Sequence, residues 1–181
     1  MGCFQSRHRG KKKIAKLPVM FNTKGTPYLT EEQRRLVSDS WQEIKDNVEK
    51  VGVITFMNLF ETHPEVQNSF MPFRNLKKID MEHSAVLRSH SLRVMGTVDK
   101  FMSRIDSQEK SRGVIIELGQ RHDGYNAKSD YFDMVGPQFI YAIKPQFAER
   151  WNGELEEAWL KLFQILSFLM RKGLKRAKNA K

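Results

Sequence analysis

Apolar residues in this chain recur at helical intervals. In YLTEEQRRLVSDSWQEI, Val37, Trp41, Ile44 and Val48 return every three or four positions, and Thr30 and Gln33 stand just ahead at the spacing of a capping box. A helix is therefore expected to begin near residue 30. The next segment, VGVITFMNLFETHPEV, gathers Ile54, Phe56 and Phe60 on one side. It should stop near Pro64, because proline disfavours helical geometry in the residue before it. NSFMPFRNLKKID then reads as an irregular corner.

From about 81 to 104 the pattern puts Val86, His90, Val94, Val98 and Phe101 on one face, the stripe of a helix packed against a core. A shorter helix in KSRGVIIELGQRH spaces Ile115, Leu118 and His122 as i, i+3 and i+7, and DGYN after it carries the Gly and Asn of a helix end. Two long helices, roughly 129–150 and 153–176, finish the chain. The second has Glu154, Glu156 and Glu157 in its first turn and Arg171, Lys172, Lys175 and Arg176 in its last, which complements the helix dipole. No alternating apolar segment is long enough to argue for a sheet, and no internal repeat occurs. The expected class is all-α, with about seven or eight helices.

Composition narrows the function classes. A chain of 181 residues, 40% hydrophobic, is long enough for one domain with a proper core. No run approaches the length of a bilayer span and the N-terminus lacks the apolar middle of a secretory signal, so neither a transmembrane protein nor export is expected. Cys3 is the only cysteine, which excludes an intramolecular disulfide, a CxxC zinc site and a dithiol redox centre. Net charge is +10, but Arg7, Arg9, Lys11, Lys12, Lys13, Lys16 and Lys24 all fall in the first 25 residues, where no acid occurs. A nearly balanced body with a basic arm is not the charge distribution of a nucleic-acid groove reader, and no nucleic-acid partner is expected.

Of five histidines, His8 lies in the tail, His63 before Pro64 and His83 near a helix start, while His90 and His122 sit on apolar stripes. Taken singly, a stripe histidine reads either as a hydrogen-bonded core residue or as a ligand. Neither has a carboxylate on its own face at helical spacing, and there is no HExxH, so zinc hydrolysis has little support. Twelve phenylalanines, with Phe56, Phe60, Phe70, Phe73, Phe132 and Phe139 flanking the two histidine helices, leave two readings open. One is simply a phenylalanine-rich core; the other is an apolar slot for a flat cofactor whose metal takes two imidazoles. A calcium-sensor reading fails: Asp106 and Glu117 have the end-to-end spacing of an EF-hand loop, but Gln108, Lys110 and Ser111 stand where oxygen ligands and glycine are needed. A nucleotide switch fails for want of a GxxxxGK[ST] loop.

Together these segments resemble the globin family, from about Tyr28 to Lys175, and within it the neuroglobin-like and globin X members. LTEEQRRLVSDSWQEI is similar to the opening helix, Phe56 and Phe60 before HPE to the second, and SFMPF supplies a corner phenylalanine at Phe70. LRSHSLRVM supplies a distal histidine with Val94 four residues on, LGQRHDGY a proximal one, and the 32-residue step from His90 to His122 matches neuroglobin-like spacing. The resemblance implies a globin fold with helices crossing at about 50° around haem b, iron protoporphyrin IX. It implies His122 as proximal iron ligand, with its other ring nitrogen donating to the carbonyl near Leu118, and His90 at the sixth position, either ligating iron or donating to dioxygen. Phe56, Phe70, Val94, Leu118 and Phe132 would line the slot. The ligands implied are dioxygen, NO, CO or nitrite, with an unidentified reductase as electron source. The leading function is electron transfer, redox signalling or small-oxidant chemistry, nitrite reduction included; reversible dioxygen storage or transport is the alternative.

The tail has a reading of its own. MGCFQS fits the N-myristoylation pattern with Gly2 as acceptor, Cys3 is adjacent for S-palmitoylation, and a basic run follows. Globin X proteins resemble it at the same place. Residues 1–27 are thus expected to be a disordered, lipidated extension addressing the protein to the cytoplasmic face of an anionic membrane, the plasma membrane first. Residues 28–178 form the haem-binding domain in this division.

Overall fold

The computed structural model describes Gly25 and residues 27–181, the side chains of 108–110 excepted. Among these residues the chain forms eight α-helices and two short 3-10 turns. The first helix, α1 (Glu31–Lys45), opens on the expected capping box: the Gln33 N–H donates to Thr30 Oγ1 at 3.2 Å and the Thr30 N–H to Gln33 Oε1 at 3.1 Å. Helix α2 (Val48–Thr62) ends where Pro64 starts the short α3 (Pro64–Gln67), proline being accepted at a first helical position.

The helix expected over 81–104 is divided. A short α4 (Lys78–Glu82) is followed by α5 (Ala85–Met102), and Ser84 separates them because its hydroxyl accepts from the Leu87 N–H at 3.4 Å and caps the second helix. A second correction concerns which face of α5 is covered. Its buried positions are Leu87, Ser91, Met95, Val98, Phe101 and Met102, while Val86 is 46% exposed. The cause is the crossing with α2, where Gly52 lets Ser91 approach so closely that a Cβ on Gly52 would lie 3.0 Å from Ser91 Cβ. That contact turns Leu87, Ser91 and Met95 into the core and leaves His90 and Val94 at the edge of the buried face.

A 3-10 turn (Ile105–Ser107) leads into α6 (Gln108–Asp123), so the stretch from Asp106 to Glu117 is largely helix and cannot wrap a calcium ion. The left-handed residue after α6 is Asn126, with φ 54°, and not Gly124, with φ −65°. Asparagine tolerates that region through its short polar side chain. Helix α7 (Tyr131–Phe147) ends in the 3-10 turn Ala148–Arg150, and α8 (Gly153–Asn179) begins at Asn152, whose Oδ1 accepts from the Leu155 N–H at 2.9 Å. Among the described residues, no helix is long and apolar enough to cross a membrane.

Two apolar clusters hold the helices together. The larger joins α1, α5, α7 and α8 around Trp41, Phe139 and Trp159; the smaller joins α2, the corner, α4 and the start of α5 around Phe56, Phe60, Phe73 and Leu87. Both buried indoles are satisfied, Trp41 Nε1–H donating to Asp99 at 2.8 Å and Trp159 Nε1–H to Ser40 Oγ at 3.0 Å. Val94 and Val135 pack against both clusters and so mark the seam between them. Helix α6 is seated on α8 rather than on α5. The crossing brings backbones into contact: a Cβ on Gly119 would meet Met170 O at 2.2 Å, and one on Gly173 would meet Ile116 O at 2.0 Å.

Candidate functional site

His122 occupies the last turn of α6, and its Nδ1 lies 2.8 Å from the carbonyl oxygen of Leu118, one turn back. A carbonyl can only accept, so Nδ1 carries a proton and Nε2 is the ring nitrogen that remains for a metal. Phe132, at the start of α7, meets the imidazole edge-on at 5.5 Å and 76°, and Tyr125 does so at 5.9 Å and 90°. Three contacts, from two helices and a loop, therefore set the ring's orientation.

His90 sits in a ring of phenylalanines. Phe56 from α2 is 4.9 Å away, Phe70 from the corner 5.1 Å, both at 77°, and Phe73 6.4 Å at 60°. Burial pushes the His90 imidazole down to about 4, with smaller contributions from the Arg93 charge and from His122. His90 is thus neutral at ordinary pH and keeps a lone pair available.

The five expected wall residues fall around these two imidazoles. Phe56 and Phe70 touch His90, Phe132 touches His122, Leu118 supplies its carbonyl, and Val94, one turn beyond His90, bridges the two apolar clusters. Sequence reasoning left out of the wall two residues that the structure adds. Phe73 stacks on Phe70 at 5.1 Å and 18°, and Tyr125 braces His122. The signal for each was weak spacing only: Phe73 lies three residues after Phe70, and Tyr125 three after His122. Gly2 and Cys3 lie outside the described residues.

The donor set decides what the slot can hold. Among the described residues no three His, Cys, Asp or Glu side chains converge, so the protein cannot build a metal cage from side chains alone. Two imidazoles beside apolar aromatic side chains suit a flat group that brings its own equatorial ligands to its metal. The residues present therefore fit haem, and an all-helical haem-binding protein is the class that fold and slot define.

Comparison with known proteins gives the family. The sequence model of the Globin family matches residues 54–169, a span that includes both histidines and every wall residue named above, and the chain belongs to that family. Neuroglobin-2 of Oncorhynchus mykiss is 28% identical over 146 residues, covering 80% of this chain and 92% of that protein. Cytoglobin-2 of Danio rerio is 26% identical over 140 residues, covering 76% and 78%. Among solved structures, the hexacoordinated heme protein from an anhydrobiotic tardigrade at pH 4 superposes with a TM-score of 0.75 at 17% identity, over 81% of this chain and 96% of that one. At that identity the likeness is one of fold. Haem is the cofactor of this globin.

Proposed function

We propose that this chain is a membrane-anchored haem globin in which His122 and His90 are both axial ligands, working in electron transfer, redox signalling or small-oxidant chemistry at the membrane surface. The observation that carries the reading is His90: a neutral imidazole met edge-on by three phenylalanines, in a chain that offers a second imidazole, His122, whose Nδ1 is already committed. Haem b, when bound, would supply an iron that His122 and His90 hold and that exchanges one electron. The rest is the work of this chain's own residues. The Leu118 carbonyl accepts from His122 Nδ1 and so fixes the tautomer and orientation of the ring, a support of the kind that holds metal-bound histidines elsewhere. Phe56, Phe70 and Phe73 exclude water and hold His90 edge-on, while Val94 and Phe132 narrow the slot from α5 and α7. A pair of imidazoles that need not change between ferrous and ferric states favours electron exchange over bulk oxygen storage. Dioxygen, NO, CO and nitrite are the small ligands, and an unidentified reductase supplies electrons.

The visible spectrum of the reduced, ligand-free protein tests this. Sharp bands of six-coordinate low-spin haem are expected; a broad five-coordinate spectrum would reject ligation by His90 and leave reversible dioxygen binding, with His90 as hydrogen-bond donor.

The membrane part of the reading rests on residues 1–27, outside the haem domain of 28–178. A single myristoyl chain at Gly2 binds bilayers with a constant of only about 10⁴ M⁻¹. A second signal makes attachment durable: an acyl chain on Cys3 adds about 0.8 kcal/mol per buried methylene, and basic residues near an anionic leaflet add roughly 1 kcal/mol each at most. Gly2→Ala should move the protein from the membrane fraction of cells to the soluble one, since it removes the myristoyl acceptor. Retention of the variant at the plasma membrane would end the lipid explanation.

A further inference from the structure

Between the end of α5 and the body of α6 lies a cavity of about 180 Å³ that the haem slot does not use. Neither histidine lines it, nor does Val94 or any of the slot phenylalanines, and it shares only Leu118 with the site described above. Its floor is apolar, made by Phe101, Ile115 and Leu118, with Val114 half-exposed at the opening. Its rim is basic. Lys100 and Arg104 stand on one side and Arg121 on the other, and among the described residues none of the three is in an ion pair, with Glu117 the one acid on the wall. This contrasts with Arg35, Arg88 and Arg150, which are each paired with a glutamate elsewhere on the surface.

The second observation is Ser111. It lines the cavity, is 3% exposed, and among the described residues its buried hydroxyl has no hydrogen-bond partner. Buried hydroxyls in folded proteins are almost always bonded, so an orphan on a cavity wall points to an acceptor that belongs there. An inorganic anion would answer the cations but leave the floor of Phe101 and Ile115 uncovered, and a neutral hydrocarbon would do the reverse. We propose that this cleft binds the carboxylate of an acyl-chain amphiphile, a free fatty acid, with its chain on the apolar floor and its head among Lys100, Arg104 and the Ser111 hydroxyl. The site requires neither membrane anchoring nor ligation by His90, and stands if either fails.

The experiment is calorimetric titration of the haem-loaded full chain with decanoate below its micellar concentration, beside decanol, acetate and inorganic phosphate. Saturable binding of decanoate at one site is expected, with decanol, acetate and phosphate each at least about 10-fold weaker. The double variant Lys100→Glu/Arg104→Glu, at two exposed positions outside the residues packed on either imidazole, should weaken decanoate at least about 10-fold, and Ser111→Ala a few-fold. Val114→Trp, which fills the opening without changing charge, should abolish it and keeps the test decisive if the charge variant folds poorly. Equal binding of decanoate by the double variant or by Val114→Trp would overturn the proposal. So would equal binding of acetate or phosphate, or an equal loss caused by Lys175→Glu/Arg176→Glu at the basic end of α8.

Discussion

His90→Leu should raise the apparent affinity of the reduced protein for carbon monoxide about 100-fold. When a side chain of the protein holds the sixth position, an external ligand meets only the fraction of molecules in which that chain has left; with that fraction on the order of 1%, apparent affinity is reduced about 100-fold. Leucine removes the competing imidazole while keeping an apolar body among Phe56, Phe70 and Phe73, so the surrounding ring of phenylalanines loses no hydrogen bond and gains no large void. Flash photolysis and rapid mixing with carbon monoxide, wild type against variant, measure the effect directly. Unchanged kinetics would assign His90 to the role of hydrogen-bond donor.

The second large effect lies away from the iron. A Cβ on Gly173 would fall 2.0 Å from Ile116 O and 2.9 Å from the Gln120 backbone N, and one on Gly119 would fall 2.2 Å from Met170 O. These are backbone atoms of rigid helices and cannot swing aside, so a side chain forces α6 away from α8. Overpacking of this kind costs about 3 kcal/mol or more, a large share of the roughly 5–15 kcal/mol that holds a domain folded. Because His122 sits on the last turn of α6, the same displacement moves the imidazole relative to α5. Gly173→Val should therefore lower the urea midpoint sharply and speed haem transfer to an excess acceptor by at least about 10-fold, since a ligand bound only to the native state is lost with it. Gly96→Ala on α5, whose added Cβ would meet nothing within 4 Å, is the control and should be neutral or slightly stabilising, because alanine is the better helix former. Equal behaviour of the two variants would show that the crossing is not what holds α6.

The neighbours of the two histidines were legible where residue identity combines with spacing. His90 and Val94, or Leu118 and His122, must share a helix face at i and i+4 once the helix is granted, and the helix itself follows from the period of its apolar residues. Phe73 was not assigned to the wall because it comes from an irregular corner, where no period says which way a side chain points; only the stacking on Phe70 shows it. Val86 was misplaced for the opposite reason. It continues the stripe of His90 and Val94 faithfully, but the close approach of Gly52 and Ser91 turns α5 by one position and leaves that end of the stripe in solvent. The division at Ser84 was missed because helical periodicity runs through it, whereas the cap is a competing local hydrogen bond.

By itself, then, the sequence determined the all-helical class, the capping box at Thr30, the two imidazoles with their phenylalanines, and the basic tail with its acylation pattern, because each is a property of residues near one another in the chain. Tertiary structure alone decided which face of α5 is covered, how closely α6 lies on α8, that a basic-rimmed cleft opens between α5 and α6, and that burial holds His90 neutral. Those outcomes depend on the distance between helices far apart in sequence. That distance is set by side-chain volume at the crossings, down to the absence of a single Cβ at Gly119 and Gly173.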